Sequence, residues 1–167
     1  MRSILVFPEI YNLDAIQAIR TKYDPLAQNI RPHISLVFPF ELDVSDEKLS
    51  THVKNILKGS KDFPTTFDRL GSDNSGYLWL EANYGKDNFI KLHDKLYADE
   101  LFQPFLRKDI PYVPHITLGH VDPENKNEVM SQLDLQKLTF SSYIDTVSIE
   151  NILSNDDSSE FAQIQLS

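Results

Sequence analysis

Two hydrophobic periods alternate along this chain. Residues 4–7 are an unbroken aliphatic and aromatic run after Ser3, the pattern of a buried strand over 3–7. From Asn12, a good N-cap, to Tyr23 the period becomes helical. Leu13, Ile16, Ile19 and Tyr23 share one face, and Asp24-Pro25 ends the helix because the residue before proline resists helical geometry. Residues 31–40, Arg-Pro-His-Ile-Ser-Leu-Val-Phe-Pro-Phe, read as a strand entered through Pro32. Ser45 then caps a second helix carrying Leu49, Val53, Ile56 and Leu57 at helical spacing. Residues 63–70 and 77–82 read as a hairpin across the turn Ser72-Asp73-Asn74-Ser75-Gly76.

The second half repeats this order. The strand over 77–82 leads into a helix over 87–98 with Phe89, Leu92 and Leu96, then into the strand Val-Pro-His-Ile-Thr-Leu-Gly-His-Val. A further helix opens at Asp122-Pro123-Glu124, with proline in the first helical position and Val129, Met130 and Leu133 as its apolar stripe. Three more strands are predicted near 138–142, 144–152 and 161–166. The first helix recurs at a shift of 75 residues (Asn12 to Asp87) and the strand after it at a shift of 82 (His33 to His115). The extra seven residues fall in the loop over 101–112. No Gly/Ser linker separates the halves. The pattern therefore predicts one unit over residues 1–167, made of two similar lobes related by a pseudo-twofold.

Composition narrows the setting. The chain has no cysteine, which excludes a disulfide framework and any thiolate zinc site, and suits a reducing compartment. The first apolar run is broken by Pro8 and Glu9, too short for a signal peptide or a membrane span, so the expectation is a cytoplasmic protein with no membrane partner. Sixteen Lys and Arg against 25 Asp and Glu leave a net charge of -9. That field repels a long polyanion, so non-specific binding of long nucleic acid is not expected. A small phosphate ester needs only two or three cationic or hydrogen-bonding groups.

The candidate chemistry lies in a repeated motif, Pro32-His33-Ile34-Ser35-Leu36 and Pro114-His115-Ile116-Thr117-Leu118. Two chance occurrences in a chain of this composition have a probability on the order of 10⁻⁵. Alternate strand residues share a face, so His33 and Ser35 point one way while Ile34, Leu36 and Phe38 point into the core. His115 and Thr117 are related in the same way to Ile116 and Leu118. If the pseudo-twofold brings the two strands together, a cleft receives two imidazoles and two hydroxyls. One neutral imidazole can act as base and one protonated imidazole as acid, with the hydroxyls donating to non-bridging phosphoryl oxygens. This chemistry requires no metal and no cofactor. The alternative is architectural, with each histidine simply bonded to neighbouring backbone.

The paired motif, its spacing, the helix-strand order and the chain length resemble the 2H phosphoesterase superfamily, which includes 2′-5′ RNA ligases and cyclic nucleotide phosphodiesterases. The small bacterial YjcG-like branch is the nearest likeness. The resemblance implies an α+β, bilobal fold in which antiparallel sheets line a central cleft and helices lie outside. It implies metal-independent hydrolysis of a 2′,3′-cyclic phosphate or related RNA-end phosphodiester, with 2′-5′ RNA ligation as a sister activity; the chain itself is expected to be a monomer. His33 and His115 become the acid/base pair, and Ser35 and Thr117 the phosphate binders. Where many relatives carry an arginine shortly after the second motif, this chain has Gly119 and His120. The rival reading is a binding module whose cleft holds a nucleotide or phosphorylated metabolite without turnover.

Other residues are weaker candidates. Arg31 lies two residues before His33 and can share its face to meet phosphate, or remain a solvated surface arginine. Strand parity turns His120 away from His115 unless a bulge at Gly119 intervenes. His52 and His93 lie on predicted helices beside lysines and read as surface groups. The loop over 101–112 carries Arg107 and Lys108 between prolines, either as a functional loop or as a plain connection. Tyr77 and Trp79 share one strand face and can stack a base or pack into the core.

Overall fold

The computed structural model describes residues 1–167. The chain runs β1 (Arg2–Val6), α1 (Leu13–Tyr23), β2 (Ile34–Phe40), α2 (Asp46–Leu57), β3 (Phe63–Ser72), β4 (Tyr77–Ala82), α3 (Lys86–Tyr97), β5 (His115–His120), α4 (Lys126–Ser131), α5 (Leu135–Leu138), β6 (Phe140–Ile144), β7 (Thr146–Ile152) and β8 (Ser158–Gln165). The strands form two antiparallel four-stranded sheets, ordered β2-β1-β7-β8 and β5-β4-β3-β6. Substituting β4 for β1, β5 for β2, β3 for β7 and β6 for β8 turns the first order into the second. The duplication read from helix and motif spacing is therefore a duplication of sheet topology.

The correspondence extends to single residues. Val6 pairs with Ile34 as Leu80 pairs with Ile116, and Leu5 pairs with Ser35 as Trp79 pairs with Thr117. The next pairs are Ile4 with Val37 and Leu78 with Gly119, so each motif strand carries one extra residue, Leu36 and Leu118. These are β-bulges at the same motif position, and both leucines are fully buried. Each bulge reverses the in–out alternation that follows it, and in β2 a second irregularity, between the Ile4–Val37 and Arg2–Phe40 pairs, reverses it again before Phe40. Val37 and Phe40 enter the core, whereas Phe38, expected there, stays half-buried on the opposite side.

The halves are interlocked through their helices. α1 packs on β5, the second half's motif strand, and α3 packs on β2, the first half's. Ile34 and Leu36 share one apolar core with Ile116 and Leu118, together with Ile16 of α1, Val53 of α2 and Phe89 and Leu96 of α3. Ser45 caps α2 as expected, its Oγ accepting from Lys48 N at 3.2 Å. Asn12 does not cap α1. Its side chain instead donates to the carbonyls of Lys137 and Thr139, tying the start of α1 to the end of α5. The helix expected from Asp122 is broken into a 3₁₀ turn, Pro123–Asn125, and two short helices. α4 ends at Ser131, before Leu133, and Asp134 caps a new helix, its carboxylate accepting from Gln136 N two residues on. Leu138, expected in a strand, ends α5.

α1 approaches β5 closely at Gly119, where a Cβ would lie 2.4 Å from Cβ of Tyr23 and 3.0 Å from its carbonyl oxygen. Gly119→Ala should therefore push α1 from the motif strand and destabilise the fold by about 1–3 kcal/mol. Urea unfolding followed by circular dichroism measures this, with an unchanged midpoint as the contrary result.

Candidate active site

Each motif histidine is held by its own strand. Pro32 and Pro114 are buried, and the carbonyl two residues before each histidine points at the imidazole. Nδ1 of His33 lies 2.9 Å from Arg31 O, and Nδ1 of His115 lies 2.6 Å from Val113 O. A carbonyl only accepts, so Nδ1 carries a proton in both rings and Nε2 is the nitrogen left free. Burial alternates as strand parity requires. His33, Ser35, His115 and Thr117 are half-buried on one side, while Ile34, Leu36, Ile116 and Leu118 are sealed in the core.

β2 and β5 are edge strands of their sheets and touch one another, which brings the two motifs together. Tyr112, three residues before His115, donates its hydroxyl to Ser35 O at 2.8 Å and so ties the approach to the second motif onto the first. The rings are near enough for the charge of one to oppose protonation of the other: His33 lowers the pKa of His115.

The walls differ between the halves. Phe7 stands edge-on to His33 with ring centroids 6.2 Å apart, and the Arg31 guanidinium lies over the same Phe7 ring at 3.9 Å. Arg31 also pairs with Glu160 at 3.1 Å and borders a cavity of about 380 Å³ with Phe7 and Ser148. It is thus beside the cleft and already engaged by an anion. Across the cleft, the Trp79 ring lies 4.8 Å from His115, and its Nε1 donates to Glu81 Oε1 at 3.0 Å. Glu81 is the β4 residue paired with His115. Gly71 on β3 makes room for the indole, since a Cβ there would lie 2.2 Å from Nε1.

The bulge at Leu118 turns His120 back to the side of Tyr77, its β4 partner, and the two rings stack at 4.1 Å and 9°. Tyr77 is therefore an exposed residue, not a core aromatic. His93 is also corrected: far from being a surface group, it is buried, stacked on Tyr112 at 3.9 Å and bonded to Asp94 at 2.8 Å. His52 is half-exposed and pairs with Asp99. Arg107 closes on Asp109 in the exposed loop.

Burial lowers the pKa of both motif histidines below the usual 6.5, against the opposing effect of their backbone hydrogen bonds. The charges around the two rings differ. Glu150 raises His33, while Arg20 lowers it and Asp24 raises it. Because Arg20 and Asp24 are themselves paired at 3.0 Å, their effects oppose one another and Glu150 stands out. Glu150 is a buried carboxylate on β7, with Ser3 donating to one oxygen at 2.6 Å and Ser158 to the other. For His115 the leading charge is His33, which lowers it, against Glu81 and Asp73, which raise it. Glu150, Glu81 and Tyr112 were not singled out in the sequence. Only strand parity with Trp79 hinted at Glu81. No three His, Cys, Asp or Glu side chains gather closely enough to chelate a metal ion, and no helix is long and apolar enough to cross a membrane.

Residues 7–155 match the family model of the 2′-5′ RNA ligase superfamily. The chain belongs to that superfamily. A protein of Geobacillus kaustophilus named "putative phosphoesterase" is 31% identical over 148 residues, covering 85% of this chain and 82% of that one. An Oceanobacillus iheyensis protein with the same designation is 26% identical over 162 residues, covering 92% and 90%. Among solved structures, E. coli LigT complexed with 3′-AMP superimposes with a TM-score of 0.71 at 17% identity, over 99% of this chain and 97% of LigT. A crystal structure described as a phosphoesterase gives 0.69 at 16% identity. At those identities the likeness is one of fold: two antiparallel sheets about a cleft with helices outside, as the α+β bilobal expectation has it.

The depressed imidazoles make stability depend on pH. An unfolded histidine, near 6.5, takes up a proton before the folded one does, so the stabilisation is complete above 6.5 and declines as pH falls below it. Asp73 and Asp99, whose values are lowered from 3.8, contribute only at more acid pH. Urea midpoints should fall between pH 7.5 and 5.5. Glu150→Gln should lower the His33 pKa, read by NMR titration of the imidazole resonances. An unmoved or raised His33 value would contradict the assignment of Glu150.

Proposed function

We propose that this protein is a metal-independent phosphoesterase that hydrolyses a 2′,3′-cyclic phosphate or a related RNA-end phosphodiester, with His33 and His115 as its acid/base pair. The carrying observation is the matched pair of imidazoles. Each has Nδ1 committed to a carbonyl two residues back, so each has only Nε2 to offer a substrate. The phosphoesterase designation of the relatives and the small ligands solved with LigT, 3′-AMP and phosphate among them, agree with this reading.

The chemistry requires the two rings in opposite protonation states. A neutral Nε2 takes a proton from water as the water oxygen attacks phosphorus. The P–O bond to one ribose oxygen breaks, and that oxygen takes the proton from the other, protonated Nε2, leaving a ribose phosphate monoester. Ser35 and Thr117 are half-exposed on the same sides as the histidines and neither hydroxyl bonds to another residue, which suits donation to the non-bridging oxygens. The lowered pKa values favour a readily available base near neutrality, and the influence of one ring on the other opposes double protonation. With a ribose 5′-hydroxyl in place of water, the same step breaks the P–O bond to the 3′ oxygen and leaves a 2′-5′ diester, which is the chemistry of ligation.

Replacing either histidine with alanine should lower kcat by about 10²–10⁴. The double variant should fall far short of the product of the two effects, since residues acting as a unit are not additive. The pH-rate profile should be bell-shaped, and Ser35→Ala and Thr117→Val should be milder. Phosphorus NMR on a 2′,3′-cyclic nucleotide reads both rate and product. An active double variant with unchanged pH dependence would return the motif to an architectural role.

Activity should also survive EDTA, because proton transfer and hydrogen bonding supply what a metal would otherwise provide. Loss of turnover in EDTA that a divalent ion restores would refute the mechanism.

A further inference from the structure

The outer part of the β4–β5 face is not used by this mechanism. The side chains of β4 that share the side of His115 are Glu81, Trp79 and Tyr77, and those of β5 are His115, Thr117 and, after the bulge, His120. Trp79 lies against His115, and the stacked Tyr77–His120 pair follows two strand residues further out, about 7 Å along β4.

We infer that the Tyr77–His120 pair is a platform for a second nucleobase, so the preferred substrate is an oligonucleotide end of two or more nucleotides instead of a mononucleotide. The inference rests on the phosphoesterase reading and adds to it the length of the substrate.

Exposed aromatics are common singly, but this pair is built. The rings are nearly parallel at 4.1 Å, yet both remain exposed, Tyr77 to 42%. Both are held from below. His120 Nε2 donates to Ser75 O at 2.9 Å, and Tyr77 N donates to Asp73 Oδ1 at 3.0 Å. The Asp73 carboxylate also accepts from Ser75 N and Ser75 Oγ, so the turn under the platform is fixed. The rings cover one another face to face, so the outer face of the stack is what a base can extend, and a pre-ordered ring loses little entropy on binding it. With Nε2 committed, His120 Nδ1 is left to accept from a base amine or a ribose hydroxyl. Sheets that bind single-stranded RNA place aromatic rings at successive positions of one face so that successive bases stack on them, without sequence preference. Here the two aromatic positions extend outward from the imidazole that handles the phosphate. The acid-rich surface is compatible with a short end and still opposes long nucleic acid.

The test compares a trinucleotide ending in a 2′,3′-cyclic phosphate with the corresponding cyclic mononucleotide. In the wild-type protein kcat/KM should favour the trinucleotide by about 10- to 100-fold, the value of one stacked base. Tyr77→Ala/His120→Ala should bring the ratio towards one, and Tyr77→Phe should keep it. A wild-type ratio near one, with turnover of both substrates, overturns the platform and leaves the phosphoesterase reading standing. If neither substrate turns over, the phosphoesterase reading fails, and the platform is judged by binding alone. Trp79 is the single tryptophan, so its fluorescence reports this face. A 3′-phosphorylated trinucleotide should then bind the wild-type protein about 10- to 100-fold more tightly than the alanine variant. Equal affinities would overturn the platform.

Discussion

Two sheet edges meet in this molecule, and most of its architecture depends on that meeting. An edge strand presents unpaired backbone groups that must be covered or blunted. β2 and β5 are the edges of their sheets, and they lie against one another with α1 crossing from the first half to β5 and α3 crossing from the second half to β2. Each half's motif strand is covered by the other half's helix. Because the motifs sit on these two strands, the contact that closes the core also brings His33 near enough to His115 for its charge to be felt there. Tyr112 adds a direct tie, from the strand approach of one motif to the backbone of the other.

How much of this was legible in the sequence depended on whether the deciding force was local. The strand and helix periods, the Ser45 cap and the paired motifs are local, and they appeared nearly where expected. The bulges were not legible. Nothing in Ile34-Ser35-Leu36-Val37 announces that Leu36 and Val37 both turn inward; that is set by pairing with Ile4 and Leu5 on a neighbouring strand. The consequences were a Phe38 expected in the core and a His120 left with two alternatives. His93 was misread for a similar reason. Its lysine neighbours on the helix suggested solvent, but the loop that carries Tyr112 folds back and covers it. The stripe Val129, Met130 and Leu133 gave no sign that α4 stops at Ser131, before its last apolar residue.

The candidate site was legible as a pair but not as an environment. Glu150 is about 117 residues from His33 in sequence, and only the β1–β7 pairing delivers it beneath the first motif. No pattern around Glu150 distinguishes it from the other acids of an acid-rich chain. Gly71 is similarly silent in sequence, although the Trp79 indole occupies the space that a side chain there would fill.

The pseudo-twofold also explains how two equal imidazoles can become unequal. In equivalent register, Phe7 of the first half corresponds to Glu81 of the second, Leu5 to Trp79, Ser3 to Tyr77 and Phe38 to His120. The backbone repeats while the walls do not. One relation is retained: Ser3 pairs with Glu150 across β1 and β7, and the backbone of Tyr77 bonds to that of Asp73, the corresponding position beside β4. Each half therefore keeps a carboxylate that raises its own histidine, sheltered at Glu150 and close to solvent at Asp73. A buried carboxylate acts through a poorly screened medium, whereas an exposed one is screened by water and salt. His33 thus has the more persistent anionic support, and His115 bears the charge of His33 against it. A symmetric fold thus sets two like rings, both lowered by burial, among different charges, and acid/base chemistry at one phosphate would draw on that difference.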